Sequence, residues 1–207
     1  MEIDMKKVKI AVLVSGGGTN LQALIDAQSS GIITSGKIVC VISSKAGAYA
    51  LTRAANAGID AYTVPKKECK NQADFEEKID KIIEKKGAEL IILAGFMSIL
   101  SADFTKKHEN RIINVHPALI PSFCGAGYYG LKVHEAALQY GVKVTGATVH
   151  FVNEIPDGGK IIMQKAVRVH DNDTPEKLQK RVMKQAEWKI LPLSAELVCQ
   201  KIINGEV

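Results

Sequence analysis

Short apolar runs alternate with amphipathic stretches through the first half of this chain, and that alternation narrows the fold more than any other feature. Residues 8–14 (VKIAVLV), 37–43 (KIVCVIS) and 90–95 (LIILAG) have the length and near-continuous apolar character of strands buried on both faces. A shorter run at 59–64 is closed by Pro65. Between the runs, 21–28, 48–57 and 74–86 read as helices. Leu21, Leu24 and Ile25 share one face of the first, and Phe75, Ile79, Ile82 and Ile83 one face of the third. Gly58 and Gly87 stop the second and third. Strands alternating with helices require crossover connections, which predicts an α/β fold with a doubly wound, mostly parallel, Rossmann-like sheet.

Further along, 103–107 reads as a short helix, Ile112 opens another strand, 117–130 is a loop rich in Gly and Pro, and 133–140 is a helix ended by Gly141. The texture then changes. Residues 144–152 and 160–169 read as two β segments around the turn Pro156-Asp157-Gly158-Gly159, which predicts an antiparallel C-terminal extension of the sheet. Thr174 and Pro175 suit the N-cap and N1 positions of a helix running to about Lys189. Pro192 either kinks that helix or separates a final one over 193–203.

All 207 residues read as a single domain, with no repeat, low-complexity tract or linker. Hydrophobic content of 46% and charged content of 24% are ordinary for a globular chain. The net charge of +5 comes from Lys and Arg interleaved with Asp and Glu. That pattern suits solvated helix faces and anionic small-molecule ligands, not a nucleic-acid partner. Cys40, Cys69, Cys124 and Cys199 show no CxxC pairing and no metal spacing. Cys124, near the polar cluster described next, reads as an ordinary loop cysteine. The stretch 1–9 is charged and lacks a signal core, and no apolar stretch approaches the roughly 20 residues of a spanning helix. A cytoplasmic protein without a membrane partner is expected. The apolar helix faces suit core or interface alike, which leaves an oligomer open.

Three places can carry chemistry. Ser15-Gly16-Gly17-Gly18-Thr19-Asn20 follows a strand and opens a helix, where backbone N–H groups and the helix dipole favour a phosphate. Gly16 and Gly18 fit a dinucleotide fingerprint, but Leu21 replaces its third glycine and the second strand ends in Ser43-Ser44-Lys45 with no acidic residue. A nicotinamide cofactor is therefore not expected, and no Lys-Ser/Thr pair follows for a Walker loop. One phosphate, or a plain tight turn, remains. Second, Asn114 and His116 are two apart at a strand end, so they share a face. An amide and an imidazole there suit oxyanion chemistry, and Pro117 ends the strand. Third, Asp157 lies in a turn whose Pro-Asp-Gly-Gly sequence is explained by turn geometry alone. Gly95-Phe96-Met97-Ser98-Ile99-Leu100 fits either core or the apolar wall of a pocket for a flat heterocycle.

Together these stretches resemble the glycinamide ribonucleotide formyltransferases of purine synthesis. The resemblance rests on residues 15–20, 94–100 (AGFMSIL), 114–117 (NVHP) and 146–152 (GATVHFV) leading to Asp157-Gly158-Gly159, and it covers nearly the whole chain. It implies the formyltransferase fold, with a phosphate-binding half over about 1–100 and a folate-binding and catalytic half over about 101–207. It implies 10-formyltetrahydrofolate as co-substrate, 5-phosphoribosylglycinamide as acceptor, and no metal. The family's catalytic trio maps onto Asn114, His116 and Asp157, which reverses the local reading of Asp157. Its phosphate contacts map onto Gly18, Thr19 and Asn20, and a substrate-side glutamate onto Glu187, on a helix one residue longer here. Its folate contacts map onto Met97, Ser98, Ile99, Leu100, Asn114 and Ile155, and His150 matches a histidine near the site. Ser98 stands where the family commonly has Arg, and the loop 122–130 is longer and more aromatic than usual.

The expected mechanism is direct attack of the amine on the formyl carbon. Asn114 and a protonated His116 stabilise the oxyanion, and Asp157 raises the pKa of His116. Three alternatives are set against it. Methionyl-tRNA formyltransferases carry a further C-terminal domain for which this chain has no room. Formyltetrahydrofolate hydrolases add an N-terminal regulatory domain. A non-catalytic phosphoribosyl-ligand binder of the same fold would tolerate loss of the trio.

Overall fold

The apolar run Val8–Val14 forms strand β1, an interior strand of a seven-stranded sheet. Val8, Ile10, Val12 and Val14 face one core and Ala11 and Leu13 the other, so a continuous apolar run is what a two-sided burial requires. The structure, a computed structural model, describes residues 7–207; most of the charged stretch 1–9 lies outside the described residues.

In chain order, α1 (Thr19–Ser29), β2 (Gly36–Ser43), α2 (Tyr49–Asn56), β3 (Asp60–Thr63), α3 (Gln72–Lys86), β4 (Leu90–Leu93), α4 (Ala102–Lys107) and β5 (Ile112–His116) follow. Then come α5 (Leu131–Tyr140), β6 (Val144–Phe151), β7 (Ile161–Arg168), α6 (Pro175–Val182) and α7 (Trp188–Ile203). The sheet order is β3-β2-β1-β4-β5-β6-β7. The first five strands are parallel, and β6 and β7 are antiparallel, as the change of texture after Val142 predicts. The chain winds outward from β1 to β3 and returns to place β4 on the other side of β1. A crevice therefore opens beyond the carboxyl ends of β1 and β4, where open α/β sheets bind ligands.

Caps fall where the sequence signals them. Asn71 and Thr174 accept first-turn N–H groups of α3 and α6, and Pro175 sits at N1. Gly87 closes α3 in the left-handed conformation. The last helical segment departs from expectation. The break falls before Pro192, in a π turn over Met183–Glu187, and α7 runs through Pro192 without interruption. Trp188 N–H bonds back to Met183 O, five residues earlier, so one extra residue is taken up inside the helix. One core cluster joins residues from Val8 to Cys199, so the two expected halves share their packing.

Candidate active site

At the carboxyl end of β1, Gly18 takes φ 70° and N-caps α1 with no side-chain cap. A Cβ there would lie 2.6 Å from that of Ala50, so both conformation and space call for glycine. The first N–H groups of α1 are thus left without a side-chain acceptor, which suits an anion. Arg53 fastens the loop from outside, its Nε donating to Gly17 O at 2.8 Å. Ser15 ties it to the next wall: its Oγ accepts from Met97 N at 2.9 Å and pairs with Ser44 Oγ at 2.7 Å.

A cleft of about 780 Å³ runs from this loop across the strand ends. Gly18, Thr19, Asn20, Met97, Ser98, Ile99, Asn114, His116, Asp157 and Glu187 all line it. Two expected residues do not. Leu100 is buried in the core layer that holds Phe75 and Phe104, because the chain has already turned inward toward α4. Ile155 is 58% exposed outside the cleft, and it is the adjacent Pro156 and Asp157 that reach the wall.

The antiparallel register of β5 and β6 sets His150 opposite Asn114 and Thr148 opposite His116. Asn114 Nδ2 lies 3.2 Å from His150 Nε2. His150 Nδ1–H donates to Phe151 O at 2.7 Å, which leaves Nε2 facing Asn114 and Asp157. Asp157 reaches in from the loop after β6. Its Oδ2 lies 3.4 Å from His116 Nδ1, its Oδ1 3.5 Å from His150 Nε2, and it accepts from Gly125 N at 2.8 Å. His116 Nε2–H donates to Phe123 O at 2.8 Å. Phe123 and Asp157 both have left-handed backbones, at φ 51° and 57°. Strain of this kind in non-glycine residues, about 1–3 kcal/mol each, is held where surrounding structure enforces it, here on both groups that grip His116.

Burial pushes the Asp157 carboxyl upward, but the His150 hydrogen bond, the His116 charge and the Gly125 N–H outweigh it and hold it below the usual range. His116 goes the other way from the sequence expectation. Burial lowers its pKa and outweighs the lift from Asp157 and the Phe123 carbonyl, so the ring is neutral in the free protein near pH 7. At the opposite wall Asn20 Nδ2 donates to Glu187 Oε2 at 2.8 Å, and Asn20 Oδ1 has no partner among the described residues. The Asn20 side chain therefore serves Glu187, leaving its backbone for the loop. Burial pushes Glu187 up to about 7, against the lowering effect of Asn20.

Sequence reasoning missed three cleft residues, Gln179, Met183 and His134. All three occupy helical positions with no local signal of function. The aromatic loop, left open by sequence, supplies Tyr128 and Tyr129 to the cleft rim. Among the described residues no cluster of His, Cys, Asp and Glu could hold a metal ion. No helix there is long and apolar enough to cross a membrane.

A glycine-capped helix start and an Asn–His–Asp group share this cleft on a parallel sheet with an antiparallel edge, and residues 8–194 match the formyl transferase family model. The chain belongs to that family. It is 43% identical to the phosphoribosylglycinamide formyltransferase of Haemophilus influenzae, over 89% of this chain and 84% of that one. It is 46% identical to the trifunctional purine biosynthetic protein adenosine-3 of Gallus gallus over 98% of this chain, which spans 20% of that protein's length. The crystal structure of glycinamide ribonucleotide transformylase 1 from Symbiobacterium toebii superposes with a TM-score of 0.87 at 39% identity, covering 94% of this chain and 88% of that one.

Proposed function

We propose that this chain transfers the formyl group of 10-formyltetrahydrofolate to the amine of 5-phosphoribosylglycinamide. The observation that carries the reading is the meeting of Asn114, His116 and Asp157 in one cleft with the Gly18 phosphate cradle at its other end. The phosphate would take the N–H groups at the start of α1, with Asn20 and Glu187 beside the rest of the acceptor. The folate ring would lie against Phe96, Met97, Ser98 and Ile99, next to Asn114. That wall is apolar with one convergent amide, which fits a flat heterocycle.

Attack of the amine on the formyl carbon places negative charge on the formyl oxygen. Asn114 Nδ2, 3.2 Å from His150 Nε2, carries an N–H for that oxygen. His116 donates to it by exchanging the Phe123 carbonyl for the more basic oxyanion. The developing charge and ionised Asp157 both favour imidazolium, so His116 gains its proton as the reaction proceeds and not beforehand. The amine must lose a proton and the tetrahydrofolate nitrogen must gain one, and His116 and Asp157 lie together to relay it.

The unpaired cysteines Cys40, Cys69, Cys124 and Cys199 fit a reducing, cytoplasmic setting for small-molecule substrates. The test is a coupled assay with both substrates, following release of the folate product, beside a reaction with water as sole acceptor. Turnover that depends on the amine is expected. Equal turnover with water would assign a hydrolase, and no turnover with either would leave a binding protein.

A further inference from the structure

His134 has no part in the reaction proposed above, yet it lines the same cleft. It sits in α5, four residues past Gly130, and is wholly buried. It is near enough to His116 to feel that ring's charge. Neither Nδ1 nor Nε2 has a hydrogen-bond partner among the described residues. Each such idle buried group costs about 1–3 kcal/mol, and an apolar side chain in its place would cost nothing of the kind. Few buried polar groups are left unpaired in folded proteins, and each one calls for an explanation in what it does.

The chemistry of that partner follows from the ring. Burial holds His134 far below the ordinary imidazole range, at about 4, so near pH 7 one nitrogen donates and the other accepts. A phosphate only accepts and an ammonium only donates. A hydroxyl or a water does both. We infer that His134 is a binding residue of the cleft that pairs with a hydroxyl-type oxygen, either a sugar hydroxyl of the phosphoribosyl substrate or a water held against the bound substrate. The choice of substrate rests on the function proposed above.

The test compares His134→Leu with His134→Gln. Leucine removes both idle groups at similar volume, so its thermal midpoint should match or exceed that of the unmodified protein. Its kcat/KM for 5-phosphoribosylglycinamide should fall at least about tenfold, the size of one hydrogen bond lost. Glutamine keeps a donor and an acceptor and should recover most of the loss. A purely structural residue would give a stable leucine variant of unchanged kcat/KM, and that result overturns the inference. A substrate analogue lacking the ribose hydroxyls separates the two partners. The leucine penalty vanishes with the analogue if a sugar hydroxyl is the partner and persists if a water is. Should the leucine variant fail to fold, ¹⁵N-histidine NMR on the unmodified protein asks the same question. The His134 ring nitrogens must shift when 5-phosphoribosylglycinamide is added, and unchanged shifts overturn the inference. That measurement reads binding alone, so it stands apart from a failure of formyl transfer, which would count against the proposed reaction instead.

Discussion

The two ends of the cleft are built by different means. The end proposed to hold the phosphate is one contiguous stretch, Ser15 to Asn20, which offers backbone N–H donors at the start of α1. Among the described residues that line the cleft there is no Lys or Arg. The end proposed to carry the chemistry draws side chains from β5, from β6 and from the loop after it, plus two backbone groups from the loop after Pro117. A backbone site depends on conformation, so few side chains can spoil it except at the glycine that sets it. A side-chain site in a buried setting depends on balance, since each charge there is tolerated only because of its neighbours.

That difference breaks most sharply at Asp157. Asp157→Asn removes the carboxylate that faces both His116 and His150, so turnover is expected to fall about 10³-fold, with KM for the phosphoribosyl substrate little changed. A variant within tenfold of normal turnover would remove Asp157 from the mechanism. Next comes Asn114→Ala, expected to lower kcat about 10²-fold through loss of one oxyanion donor, measured at saturating substrates. At the other end, Gly18→Ala meets both a positive φ and the Ala50 side chain. It should raise KM for the phosphorylated substrate about tenfold while kcat holds, and lower stability by about 1–2 kcal/mol in urea titration. A change in kcat without KM would show that the two ends are not separable.

The smallest effect sharpens the comparison through pH. The folded pKa of Glu187, about 7, lies above the ordinary carboxylate value. It therefore stabilises the fold at acid pH, and that contribution is lost as pH rises through 7. Glu187→Gln removes the titration and keeps an acceptor for Asn20. Its thermal midpoint should match the unmodified protein at pH 5 and exceed it by roughly 5 °C at pH 8, at about 2–4 °C per kcal/mol for a chain of this size. Parallel midpoints across that range would mean Glu187 is not buried as the structure has it.

The same contrast governs what could be read beforehand. Strands β1, β2 and β4 and the glycine turn into α1 were legible because their signal is local: apolar runs, then glycines, then a helical period. Asn114 and His116 were legible as a pair because strand geometry puts them on one face. Asp157 was not, since Pro-Asp-Gly-Gly is already explained as a turn, and only the β5–β6 pairing and the loop behind it bring its carboxylate to His116. The charge on His116 was misjudged for a related reason. A neighbouring carboxylate can be guessed from sequence, but the depth of burial that outweighs it cannot. Met97, Ile99 and Leu100 look alike in sequence, yet Met97 and Ile99 line the cleft while Leu100 closes the core. Pro192 drew attention as a breaker, while the π turn upstream leaves no compositional trace.

That turn carries a consequence for comparing relatives. A residue gained in a regular helix rotates everything beyond it by about 100°. Taken up between Met183 and Glu187, it rotates nothing: α6 stays on β6 and α7 keeps its packing on α1 and the sheet. The segment acts as an expansion joint, so a chain one residue shorter there can present the same glutamate by straightening the joint into ordinary helix. Correspondence across 183–187 is then kept by position in space and not by count along the chain.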